Sequence, residues 1–234
     1  MSDQPERASD WADETEGRLL TAALTHAPRL GWTSAMVAAA ARDIGLSTAE
    51  AELLAPHGPR DLAALLARRH DRRALETLGD VDPATLKVRE RIRQGVLARC
   101  DGAMEDEAAV RRWAGFLALP ANVPLGLRLA WASADGLWRW AGDTATDENH
   151  YSKRAILAEI LISTLAIRLA GGANAAADHL AARIDAVMAF ERWKAGIKPA
   201  DFATRLAGAL GRMRYGRAIG REEPPPTAPV GSAG

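Results

Sequence analysis

The stretch Asp135-Gly-Leu137-Trp138-Arg-Trp-Ala141-Gly142-Asp143-Thr-Ala-Thr146-Asp147-Glu-Asn149-His150-Tyr151-Ser-Lys153-Arg154 gathers aromatics, carboxylates, an amide and a dibasic pair. Helical patterns flank it on both sides, so it reads as a helix–loop–helix joint. Thr146 or Asp147 can cap the following helix, and a carboxylate there suits the helix dipole. Capping uses one or two such groups, and the joint holds far more. The surplus points to a ligand or a partner.

Other chemistries find little support. His26, His57, His70, His150 and His179 are scattered. Asp147-x-x-His150 is a single acid–His pair, whereas a di-iron bundle needs two Glu-x-x-His units and further carboxylates. No metal or cofactor is therefore expected. Cys100 has no CxxC partner and reads as a small core residue. Neither a Gly-rich phosphate loop nor a nucleophile elbow occurs, and no catalytic residue stands out. The chain is expected not to be an enzyme.

The elements that position the joint are helices. Ala, Leu and Arg abound, while only two Tyr and three Phe occur in 234 residues. About ten helices are legible. They cover roughly 13–28, 34–44, a stretch from Ser47, 60–77, 83–100, 105–118, 123–141, 149–170, 175–195 and 199–216. Ser47-Thr-Ala-Glu50 is a capping box. Pro59 suits a first helical turn, Asp82-Pro83 marks a helix start, and Gly171-Gly172 marks an end. Residues 1–12 and 218–234 offer little apolar surface to offset ordering entropy and are expected to be disordered.

Around 123–141, Leu127, Trp131, Ala134 and Trp138 share one stripe. The next helix places Ile156, Leu157, Ile160, Leu161, Ile162 and Leu165 around nearly its whole circumference. Such a helix must be buried on every side or cover a ligand or a dimer contact. Trp131, Trp138, Leu157, Ile160, Leu161 and Leu165 thus read as lining for a hydrophobic tunnel. At about 0.8 kcal/mol per methylene equivalent, one isoprene unit contributes roughly 3–4 kcal/mol on burial. Two or three units can exceed the lower range of association costs, about 4 kcal/mol, and reach micromolar affinity. The pattern alone suits a lipid.

Lys plus Arg equal Asp plus Glu at 30 each, so overall charge does not favour nucleic acid. The last helix combines Phe202, Leu206, Leu210 and Met213 with Arg205 and Arg212, the pattern of an interfacial helix. Each basic group near an anionic leaflet adds about 1 kcal/mol, so residues 198–217 are expected to meet a membrane surface. The longest apolar stretch, 155–170, is shorter than a bilayer span and contains Glu159 and Arg168. A single cysteine, together with an acidic N-terminus, fits a reducing compartment and no secretory signal. The expectation is a soluble, bacterial-type cytoplasmic protein, peripheral to the inner membrane.

Residues 16–70 resemble the DNA-binding end of the TetR family. The resemblance lies in Leu19-Leu20-Thr-Ala-Ala-Leu24, Gly31-Trp32-Thr33, Val37 through Ser47 and Gly58-Pro59-Arg60-Asp61-Leu62. The would-be reading element, 47–58, has no Lys or Arg and places Glu50 and Glu52 toward a polyanion. Nucleic acid is therefore not expected as a partner, and the unit reads as a retained scaffold. A TetR-type ligand-responsive transcription regulator is the alternative.

The joint itself resembles the coenzyme Q biosynthesis accessory family, the ninth protein of the Coq series. The resemblance rests on Asp135, Trp138, Ala141-Gly142-Asp143, Thr146-Asp147, Asn149, Tyr151 and Lys153-Arg154 and extends over roughly 16–195. It implies an all-α, TetR-like homodimer with a helix-turn-helix unit (13–78) ahead of a lipid-binding and dimerisation domain (79–197). It also implies an isoprenoid quinone as that lipid and a docking surface for demethoxyubiquinone hydroxylase. That surface would hold Leu137, Trp138, Asn149 and Tyr151, with Asp135, Asp143, Asp147, His150 and Arg154 beside them. The family usually shows Asn-Trp-Tyr where this chain has Asn149-His150-Tyr151.

Overall fold

The computed structural model describes residues 3–143 and 148–196, with side chains described over 11–143 and 150–190. Every regular element among them is helical. Helix α1 spans Asp3–Leu30, α2 Ser34–Asp43, α3 Thr48–Leu54, α4 Pro59–Thr77, α5 Val88–Met104, α6 Glu107–Ala118, α7 Val123–Trp140 and α8 Glu148–Gly196. The chain divides into two compact units, 1–185 and 186–234. Of the second unit only 186–196 is described, and it is helical.

Local chemistry sets most boundaries. Thr33 caps α2 by accepting from the Met36 amide, and the Ser47–Glu50 capping box forms as expected at α3. Pro59 opens α4 after Gly58, which adopts φ +58°. Two expectations need correcting. Asp82-Pro83 starts only a 3-10 turn, Pro83–Thr85, because Leu86 is extended; α5 begins at Val88. Helix α1 begins at Asp3, so residues 3–12 are helical rather than disordered. Asp3, Pro5 and Glu6 are the types that favour a first helical turn.

Helix α8 breaks at Gly172, whose φ +81° and ψ −169° lie outside the helical region. His179 Nε2 lies 3.0 Å from Ser163 Oγ, and Arg183 pairs with Glu159 at 2.6 Å. In one straight helix those partners would stand about 24 and 36 Å apart, at 1.5 Å per residue. The two arms therefore fold back as an antiparallel hairpin about Gly171-Gly172. By length and composition alone, His150–Phe190 is long and apolar enough to cross a membrane. That stretch is longer than the apolar run 155–170 expected from the sequence.

One hydrophobic core joins α1–α4 to α6. Leu19, Met36, Leu62 and Leu66 pack with Val110 and Trp113. Trp32 Nε1 donates to the Ala109 carbonyl at 3.2 Å, and Trp113 Nε1 to that of Ala63 at 3.1 Å. Residues 78 and 79 therefore do not mark a break in packing. Arg60 and Asn122 fix the α6–α7 connection: Arg60 donates to Asn122 Oδ1, and the Asn122 amide donates to the Phe116 carbonyl. That connection sets where α6 and α7 diverge.

Candidate functional site

Helices α5, α6, α7 and the first arm of α8 enclose a cavity of about 390 Å³, within the usual range for small-molecule pockets. Trp113 and Leu117 come from α6, while Val123, Leu127 and Ser133 come from α7. The α8 arm adds Leu161, Ile162 and Leu165. Val123, Leu127 and Ile162 are exposed, so the opening has an apolar rim. At roughly 30 Å³ per non-hydrogen atom, the space holds about 13 atoms, or between two and three isoprene units.

At the buried side of this cavity lie Arg99, Cys100 and Ser133. Arg99, 6 % exposed, donates from Nε to Asp71 Oδ1 at 2.5 Å. Ser133 Oγ donates to the same oxygen at 2.6 Å. Burial pushes the Cys100 thiol up to about 12, so it sits there as an inert small residue.

The six residues read as tunnel lining fall into two groups. Leu161 and Leu165 line the cavity. Leu157 and Ile160 are buried in side-chain packing, Trp131 lies against Tyr151, and Trp138 Nε1 donates to the Lys153 carbonyl at 3.1 Å. The contributions of α5 and α6 were missed, although the spacing carries them. Val96, Cys100 and Ala103 share one face of α5, and Val110, Trp113 and Leu117 share one of α6.

The joint is organised by an internal ion-pair cluster. Helix α7 ends in a Schellman turn: the Gly142 amide donates to Arg139 O and the Asp143 amide to Trp138 O. Gly142 supplies the required φ of +83°. The turn carries the Asp143 carboxylate onto Lys153, 2.7 Å away, and Arg154, 3.2 Å away. Arg154, only 2 % exposed, also meets Asp135 at 2.5 Å, and Arg139 meets Asp135 at 2.7 Å. Arg91 donates to the Ala141 carbonyl and closes the turn from α5. Burial alone would raise the Asp143 pKa. The hydrogen bonds from Lys153 and Arg154 outweigh it and hold the carboxyl below its ordinary range.

Much of the polar detail at the joint is therefore consumed internally. Asp135, Asp143 and Arg154 hold α7 to α8, and Leu137 is buried beside Gly95 of α5 rather than offered to a partner. Tyr151 is 65 % exposed, with its ring 6.2 Å from Trp131 and 5.2 Å from His150. Lys153 Nζ stands 5.4 Å from the Trp138 ring centroid. Val123, Leu127 and Trp131 follow at i, i+4 and i+8 along α7. One stripe thus leads from the rim of the cavity to the half-buried Trp131 and the exposed Tyr151 beside it. Asp147 and the Asn149 side chain lie outside the described residues, as do Phe202, Arg205, Leu206, Leu210, Arg212 and Met213.

On α3, Glu50 is engaged by the Ser47 hydroxyl and amide, which lower its pKa, and Glu52 and Leu53 are exposed. This face is acidic and apolar, unsuited to a phosphate backbone. Among the described residues, no group of three or more His, Cys, Asp or Glu comes together as a metal site.

The COQ9 family profile matches residues 123–191, which hold α7 and the α8 hairpin. Ubiquinone biosynthesis protein COQ9, mitochondrial, of Rattus norvegicus is 30% identical over 172 residues, 70% of this chain and 54% of the relative. The Homo sapiens protein of the same name is 32% identical over 160 residues, 65% of this chain and 50% of the relative. COQ9-B of Xenopus laevis is 28% identical over 177 residues, 70% of this chain and 59% of the relative. The chain spans about half the length of the curated relatives it matches.

Proposed function

Because the chain belongs to the COQ9 family, we propose that it serves ubiquinone biosynthesis as a non-catalytic accessory protein. It holds a polyprenyl quinone intermediate and passes it to a demethoxyubiquinone hydroxylase-like enzyme. The observation that carries this reading is the cavity among α5, α6, α7 and α8, with its apolar walls and open apolar rim. Burial of two to three isoprene units contributes roughly 6–12 kcal/mol, which exceeds the lower range of association costs, about 4 kcal/mol. The rest of a longer tail leaves across Val123, Leu127 and Ile162.

The same stripe of α7 supports the placement of the partner. Trp131 and Tyr151 offer aromatic area of the kind that anchors protein interfaces. An enzyme docked there lies next to the opening through which the lipid must leave. A homodimer, and membrane contact through residues 198–217, belong to the same proposal. So does a peripheral location at the membrane where quinones are made. The relatives are mitochondrial by name.

Extraction from a bilayer tests the reading. Vesicles carrying a short-tailed prenyl quinone are mixed with protein, and the quinone recovered with the protein is measured after flotation. The wild-type chain is expected to remove quinone in proportion to its concentration. Ala130→Trp, which narrows the cavity from α7, is expected to remove far less. Equal extraction by both would defeat the proposal. A gel shift at low salt with genomic fragments checks the regulator alternative, which the acidic face of α3 disfavours.

A further inference from the structure

The cavity is apolar everywhere except at one place, and that place has spare hydrogen-bonding capacity. Arg99 is more than nine-tenths buried, and its guanidinium carries five N–H donors. One, on Nε, is used by Asp71. Among the described residues, neither Nη group has a hydrogen-bond partner. Ser133 spends its hydroxyl proton on the same Asp71 oxygen, which fixes the carboxylate between α4, α5 and α7. Asp71 balances the charge of Arg99 and points the guanidinium by a hydrogen bond from one edge. The wall keeps unpaired donors but no net charge to demand an anion.

Neither Nη group is sealed off by protein atoms, so Arg99 keeps its free charged donors at the wall of the cavity it lines, where the apolar surroundings supply few acceptors. Apolar walls alone would be better served by a neutral side chain at this position. We infer that Arg99, positioned by Asp71 and Ser133, is the polar anchor of the cavity. It donates through Nη to a neutral acceptor oxygen of an amphipathic lipid whose hydrocarbon part runs toward Val123, Leu127 and Ile162. This rests on the proposal that the cavity takes an isoprenoid quinone and adds the residue that recognises its oxygen: a prenyl chain bearing a carbonyl or comparable oxygen is held in preference to a pure hydrocarbon. A guanidinium with a spare edge suits a carbonyl lone pair in geometry as well as charge.

Geranylacetone, two isoprene units ending in a ketone, fits the size of the cavity. Its probe partner is the hydrocarbon in which a methylene replaces the carbonyl. Binding of both is measured by equilibrium dialysis with mass-spectrometric quantification. The proteins are wild type, Arg99→Met, and the Arg99→Met/Asp71→Asn double variant, which avoids leaving a lone carboxylate. Because the same two probes are compared in each protein, differences in their solvation by water cancel.

The ketone-over-hydrocarbon preference is expected to be about tenfold or more greater in wild type than in the double variant. Hydrocarbon affinity is expected to stay the same. An identical preference in the two proteins would overturn the anchor while leaving the cavity in place as a lipid site. Failure of wild type to bind either probe would overturn both readings. A double variant that loses both probes while keeping wild-type melting behaviour would overturn the anchor by showing that Arg99 shapes the whole cavity.

Discussion

Arg154→Met removes the centre of the cluster that binds α7 to α8. In the folded protein Arg154 contacts Asp135 at 2.5 Å and Asp143 at 3.2 Å and is almost wholly shielded from water. Removing one partner of a buried pair costs about 3–5 kcal/mol, because the other charge stays behind uncompensated. Two neighbours soften that here: Lys153 still meets Asp143, and the exposed Arg139 still meets Asp135. The lower end, about 3 kcal/mol, is expected, which is a large share of a typical folding free energy of about 5–15 kcal/mol. For a chain of this size each kcal/mol moves the melting temperature by about 2–4 °C, so a fall of roughly 6–12 °C should appear in circular dichroism melts. Adding Asp143→Asn should recover part of the loss, with a coupling of about 1–3 kcal/mol in a double-mutant cycle from urea titrations. Unchanged melting of Arg154→Met, or strict additivity in the cycle, would refute the structural role. The dibasic pair would then belong to a partner surface.

Tyr151→Ala should leave the urea midpoint within about 0.5 kcal/mol of wild type, since the ring is largely exposed, while abolishing pull-down of the hydroxylase-like partner. Retained pull-down would remove the aromatic pair from the docking surface. His70 should act through pH. Its Nε2 faces Asp106 at 3.3 Å, its Nδ1 is buried without a partner, and burial, partly offset by Asp106, lowers its pKa. A folded value below the unfolded one means stability is full above about pH 6.5 and falls as the pH drops below it. Urea midpoints between pH 7.5 and 5 should decline in wild type and decline less in His70→Gln. The Cys100 thiol should resist a disulfide reagent at pH 8 in the native state and react promptly in urea. Fast native labelling would show that the cavity wall opens.

The helices were legible in the sequence wherever a local signal marked an end: the capping box at Ser47, Pro59, the glycine pair at 171 and 172. Asp82-Pro83 misled because a cap followed by proline also starts a 3-10 turn, and only the extended Leu86 shows where the helix begins. The joint announced itself by composition, yet its composition did not separate internal pairing from external contact. Asp143 reaches Arg154 because Gly142 turns the chain back, a tertiary consequence of one φ angle. Periodicity picked out Leu161 and Leu165, which line the cavity from α8, but on α7 it singled out Trp131 and Trp138, which pack at the joint instead. The polar anchor was hidden, because Arg99, Asp71 and Ser133 are 28 and 62 residues apart in sequence and meet only in the bundle. Leu157 and Ile160 show the converse. An all-round apolar helix needs packing partners as well as a ligand, and the pattern cannot say which face meets which.

The most direct measurement is the mass spectrum of what the protein carries. The full chain and the Ala130→Trp variant are purified in parallel without detergent from a quinone-producing host, and bound lipids are extracted and quantified against protein. An isoprenoid approaching one equivalent in the wild type and strongly depleted in the narrowed variant is the predicted result. A wild type that is repeatedly free of lipid, or equal lipid in both proteins, would contradict the account.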